Sequence, residues 1–116
     1  MAAIERHGVG PRLSAGVKHG DTIYIAGQVA DDATAGVKGQ TEQILKKIDG
    51  VLKHFHSHKG KLLSATVYLA DMKGYDEMNA AWDAWIEKGN TPARATVESK
   101  LAAPKYLVEI AGIASA

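Results

Sequence analysis

A chain of 116 residues without cysteine excludes a disulfide framework, a thiolate nucleophile and a Cys-ligated zinc site. A formal net charge of +1, with Lys and Glu scattered along the chain, argues against the clustered basic footprint of a nucleic-acid binder. With 46% apolar and 23% charged residues the chain is expected to form one globular domain, residues 1–116, and no apolar run approaches the ~20 residues needed to span a bilayer. The N-terminal Met1-Ala2-Ala3-Ile4-Glu5-Arg6-His7 carries no signal-type apolar stretch, so a cytoplasmic location is expected.

Residues 13–18 and 22–29 are predicted as two strands, joined by the turn-forming His19-Gly20-Asp21 as a hairpin. The second strand, Thr22-Ile23-Tyr24-Ile25-Ala26-Gly27-Gln28-Val29, is β-branched at first and then carries a Gly, the mark of a bulge or a close backbone approach. Ala30 to Lys38 is small and polar and is read as a loop. Ile44, Leu45, Ile48, Val51, Leu52 and Phe55 recur at helical spacing, which predicts a helix from about Gln40 to about His56, ended by His58-Lys59-Gly60. Residues 62–70 read as a strand rich in Leu, Val, Thr and Tyr. Tyr75, Met78, Trp82, Trp85 and Ile86 form a second helical stripe, closed by Gly89-Asn90. Two strands follow, near 95–101 and 106–114, connected by Ala102-Ala103-Pro104-Lys105.

The order β-β-α-β-α-β-β predicts an α+β fold: a mixed sheet with right-handed crossovers and both helices on one face. The strands at 22–29 and 106–114 are apolar on both faces, so the face without helices needs another cover. Further copies of the same chain are the simplest one.

The chemistry is concentrated in Thr91-Pro92-Ala93-Arg94-Ala95-Thr96-Val97-Glu98 and in Leu107-Val108-Glu109-Ile110. A carboxylate inside an apolar strand needs a partner or a use. An Arg near such a Glu can hold a substrate carboxylate by two parallel hydrogen bonds while the Glu handles protons. Plainer readings stand beside this one: Arg94 as a solvated strand-edge cation, and Glu109 as the partner of a neighbouring subunit's Lys or Arg. Glu98, with the strand parity of Arg94 and Thr96, pairs with a Lys on an adjacent strand or plays a structural role nearby. His54, His56 and His58 suggest a metal site, but only His54 and His58 would share a helix face and no carboxylate completes a set; a solvated helix end is expected. Trp82 and Trp85 lie in the helical stripe and are expected in the core.

Several segments together resemble a known family. They are Gly10-Pro11, Tyr24-Ile25-Ala26-Gly27-Gln28-Val29, Gln40-Thr41-Glu42-Gln43, Ala65-Thr66-Val67-Tyr68-Leu69-Ala70-Asp71, Met78-Asn79-Ala80-Ala81-Trp82, Pro92-Ala93-Arg94-Ala95-Thr96-Val97-Glu98 and Leu107-Val108-Glu109-Ile110. Across nearly its whole length the chain resembles the Rid (YjgF) family of reactive-intermediate imine/enamine deaminases, known under the older name endoribonuclease L-PSP. Ala-Trp-Asp-Ala-Trp and Pro-Lys-Tyr-Leu-Val-Glu-Ile are similar to the YoaB-type short branch. The resemblance implies a chorismate-mutase-like α+β fold and a homotrimer, with the sheets forming a central barrel-like core and active sites in the clefts between subunits. It implies that Arg94 grips the carboxylate of a 2-imino or 2-enamino acid and that Glu109 activates the attacking water. Asn79, Ala26, Gly27 and the backbone near Thr96 line the cleft, and no cofactor or metal is needed.

Two positions depart from the family pattern. The deaminases carry a Tyr after the Gly-Pro and a Ser before the Gly-Gln; here Arg12 and Leu13 follow Pro11, and Ala26 precedes Gly27. Either Arg12 or Leu13 takes the Tyr place, and Arg12 or Ser14 is a possible compensating group. The expected function is hydrolytic deamination of a small carboxylate substrate such as 2-aminoacrylate. The alternatives are a non-catalytic module binding 2-oxo or amino acids and, with less support, a ribonuclease or translation inhibitor, against which stand the near-neutral charge and the lack of a His pair on one face.

Overall fold

A computed structural model describes residues 2–116. The chain forms a two-layer slab of 45 × 37 × 20 Å. One layer is a six-stranded sheet of β1 (Ile4–Val9), β2 (Ser14–His19), β3 (Thr22–Gln28), β4 (Leu62–Leu69), β5 (Ala93–Glu98) and β6 (Val108–Ser115), in the spatial order β1-β2-β3-β6-β4-β5. The other layer is α1 (Val37–His54) and α2 (Tyr75–Trp85). Neighbouring strands are antiparallel except β4 and β5, which are parallel and joined through α2. The strand β6 is inserted between β3 and β4, so the β3–α1–β4 crossover straddles it. The α+β architecture, the mixed sheet and the helices on one face agree with the expectation.

The core follows from the two periodicities. Ile44, Leu45, Ile48, Val51 and Leu52 of α1, with Met78 and Trp82 of α2, pack on Ile23, Ile25, Ala65, Val67, Leu69, Val108 and Ile110. These strand residues have one parity and one face. The opposite face carries Tyr24 (49% exposed), Val97 (41%) and Ile113 (36%), together with Tyr68, Ala111 and Glu109. This is the uncovered apolar face expected from the sequence. No helix of the described residues is long and apolar enough to cross a membrane.

Several boundaries move. The strand β1 is absent from the sequence reading because Ile4-Glu5-Arg6-His7-Gly8-Val9 has no apolar period; it pairs only with β2 at the sheet edge, and all of it except His7 is exposed. Helix α1 begins at Val37, three residues before the start expected at Gln40, with Gly36 at its N-cap. It ends at His54 in a Schellman turn: the Ser57 N–H donates to the Leu52 carbonyl, the His56 N–H to that of Lys53, and His56 takes φ 60°. His58, Lys59 and Gly60 belong instead to a separate short turn, in which His58 Nδ1 accepts from the Gly60 N–H. Helix α2 ends at Trp85 rather than near Gly89. Strand β5 begins at Ala93, before the residues expected, and β6 is shifted to 108–115.

One expectation is reversed. A His pair does exist: the rings of His7 and His54 stack with centroids 3.8 Å apart and 24° between planes. The sequence hid it because its partners come from β1, which was not read as a strand, and from the last turn of α1.

Candidate active site

The strand β6 lies between β3 and β4, and its parity puts Glu109 on the face without helices, directly across from Tyr68 of β4. On the β3 side the register slips between Ile25 and Gln28, a bulge that contains Ala26 and Gly27. Gln28 closes the bulge by donating its Nε2–H to the Ala26 carbonyl over 2.9 Å. The Glu109 side chain lies across Gly27: a Cβ there would fall 2.9 Å from Glu109 Cδ and closer still to Oε2. The strand glycine thus marks both a bulge and a close approach, with the Glu109 carboxylate as the approaching group. Glu109 is half-buried and forms no ion pair among the described residues.

Gly27→Ala is expected to fold normally, since Gly27 does not have a positive φ and the obstructing atoms are the end of a flexible side chain. The added methyl displaces the carboxylate, so the rate of any reaction through Glu109 should fall while the melting temperature stays within a few degrees. A wild-type rate in Gly27→Ala, measured beside a melting curve, contradicts that placement.

Arg94 sits on β5, the opposite edge strand from β1, level with Ala65 of β4. Its parity turns it toward the helix layer, with Thr96 and Glu98. The guanidinium Cζ lies 5.0 Å over the Trp82 ring and Nη1 is 3.9 Å from the Met78 sulfur. No carboxylate pairs with it among the described residues. Thr96 Oγ1 is buried without a hydrogen-bond partner among the described residues. Asn79 follows Met78 on α2 and is half-buried. Glu98 takes the structural role: its carboxylate accepts from the Met72 N–H at 3.0 Å, holding the turn before α2.

Two groups therefore form, and they are separate. Ala26, Gly27 and Glu109, with Tyr68 as cross-strand neighbour, lie on the open face. Arg94, Thr96 and Asn79 lie on the α2 side. Arg94 and Glu109 are on opposite faces of the sheet, at positions level with Ala65 and Tyr68 of β4 respectively, about 10 Å apart along the strand. One chain alone does not bring them together. Arg12 joins neither group; it is exposed in the loop between β1 and β2, where the Gly10 N–H donates to the Leu13 carbonyl over 2.8 Å. The sequence reading missed Met78 and Trp82 as neighbours of Arg94. Their signal was the α2 stripe itself, once α2 is placed as the crossover that carries β4 to β5. Tyr68 was legible only through strand register.

The family model described as Endoribonuclease L-PSP matches residues 6–116. A RutC family protein of Haemophilus ducreyi is 43% identical over 107 residues, covering 92% of each chain. The RutC family protein YoaB of Escherichia coli is 42% identical over 104 residues, covering 90% of each. A solved member of the YjgF protein family from Neisseria meningitidis superposes with a TM-score of 0.93 at 41% identity, covering 97% of this chain and 94% of that one. A solved putative translation initiation inhibitor from Salmonella typhimurium gives 0.90 at 37% identity, with 98% of both chains covered. With motif, fold and near-full-length similarity in agreement, this chain belongs to the Endoribonuclease L-PSP family, the group that also carries the YjgF and RutC names.

Proposed function

We propose that the protein hydrolyses 2-imino and 2-enamino acids to 2-oxo acids and ammonia, in clefts where the open sheet face of one copy meets the β5 edge of the next. The observation that carries this reading is the division of the site: a carboxylate at Gly27 and a guanidinium without a carboxylate partner among the described residues, on opposite faces of one sheet. Each half lacks what the other supplies, and a closed ring of copies would join them. Arg94 would hold the substrate carboxylate as a fork. A 2-enamino acid would first tautomerise to the imine, gaining a proton at C3 and losing one from nitrogen. Glu109 would then take a proton from water as the oxygen attacks C2 and pass it to the nitrogen. The hydroxyl proton of the tetrahedral adduct would follow by the same carboxylate as the carbonyl forms and ammonia leaves. Water supplies the carbonyl oxygen and both added hydrogens, so the chemistry balances without a cofactor. Thr96 Oγ1, buried on the Arg94 side and unpaired among the described residues, is a ready donor for the substrate.

The assay generates imines in place with an L-amino acid oxidase and traps them with semicarbazide. The protein should divert the imine to 2-oxo acid and lower semicarbazone formation. The assembly is tested separately. Three copies of the 12.3 kDa chain make a particle of about 37 kDa by light scattering, and a stable monomer at micromolar concentration sinks the shared cleft.

Binding without turnover is the second reading, favoured by Ala26, which brings no hydroxyl to the bulge beside Glu109. The ribonuclease reading gains little from the His7–His54 pair. Rings stacked face to face at 3.8 Å do not flank a phosphate from two sides, as acid–base cleavage requires.

A further inference from the structure

Met78 and Trp82 fall on the side of α2 that the β4–α2–β5 crossover lays against the sheet, and both are buried. Trp82, 6% exposed, tilts against Trp85 with ring centroids 5.7 Å apart. Trp85 donates its Nε1–H to Asp49 Oδ2 over 2.8 Å, which ties α2 to α1, and the Lys59 ammonium lies 5.3 Å from the Trp85 centroid. The orientation of the Trp82 ring is thus set by its own backbone and by Trp85, which is itself tied to α1.

Arg94 lies with its guanidinium over that ring, Cζ 5.0 Å from the centroid. It belongs to an edge strand bonded only to β4, so the backbone fixes its position but leaves its long side chain many rotamers. Among the described residues no carboxylate orients it. The Trp82 face and the Met78 sulfur do. A contact through the ring face consumes none of the five guanidinium N–H donors, and a thioether is a weak acceptor. The cation is held with only one Nη1 N–H directed to the weakly accepting Met78 sulfur, and the remaining donors stay free for an incoming carboxylate. Core packing accounts for the burial of Trp82. It does not account for a bare guanidinium over its face.

We propose that Trp82 is the positioning residue of the carboxylate anchor, an aromatic floor that aims the Arg94 fork into the cleft. This rests on the reading of Arg94 as that anchor. Trp82 touches no substrate and acts only through Arg94. Its consequence is a binding effect: substrate and transition state share the carboxylate, so loss of the floor raises KM and leaves kcat nearly unchanged.

The test is calorimetry with pyruvate on the wild type, Trp82→Phe, Trp82→Leu and Arg94→Ala, with the oligomer of each checked first. Trp82→Leu removes the π-face and should weaken pyruvate roughly 3- to 30-fold, while Trp82→Phe keeps a ring and most of the affinity. A side-chain NMR measurement needs no variant. In the ligand-free wild type the Arg94 Nε–H resonance should be displaced by the ring current of Trp82, and a random-coil position there overturns the proposal. If Arg94→Ala loses pyruvate while Trp82→Leu binds as the wild type does, this inference alone falls. If Arg94→Ala still binds pyruvate normally, the anchor reading falls and takes this inference with it.

Discussion

Arg94→Ala is expected to abolish measurable binding of 2-oxo acids while the oligomer persists. The arginine is half-buried at a strand edge and forms no ion pair among the described residues, so its removal leaves no buried charge unpaired there. The fold loses only its contacts with Trp82 and Met78. The ligand loses two charge-assisted hydrogen bonds, each worth about 1.5–3 kcal/mol, which corresponds to at least ~10²-fold in affinity. Arg94→Lys keeps the charge but replaces a planar fork with a point donor, and should recover only a small part of the loss. Unchanged affinity for pyruvate in calorimetry of Arg94→Ala would contradict the assignment.

Glu109→Gln should leave pyruvate affinity close to that of the wild type and lower the rate of imine hydrolysis. The amide has the shape of the carboxylate, so it still fits over the Gly27 backbone, where the absence of a Cβ leaves room for it. It has no basicity, and loss of a general base costs about 10²–10⁴-fold in rate. The semicarbazide-coupled assay on both proteins separates the cases. Equal acceleration by the wild type and by Glu109→Gln rules out the base role. No acceleration by either, with 2-oxo acid binding intact, makes the protein a binding module.

Much of the fold was legible because its periods are clean. The stripe from Ile44 to Phe55 is the buried side of α1, and Val108, Ile110 and Ala114 alternate with more exposed neighbours as a strand between two others should. The interior glycine of β3 marked the bulge before the register slip was visible. Strand β1 was not legible, because an edge strand that buries almost nothing has no reason to carry an apolar period. The His7–His54 stack disappeared from the reading with it.

The sequence by itself determined which groups are present and which share a strand face: Arg94 with Thr96 and Glu98, Glu109 with Ala111 and Ile113. Parity along one strand is a local property of the backbone, so it can be read from the chain. Whether two strands show the same face to the same side is set by their pairing registers and by where the crossovers run. Only the tertiary structure decided that Arg94 lies over Trp82 under α2, that Glu109 lies over Gly27 on the far side of the sheet, and that the two are divided within one chain. Those relations are between residues distant in sequence. Hydrogen-bond register and helix packing create them, and neither leaves a trace in the spacing of Arg94 and Glu109.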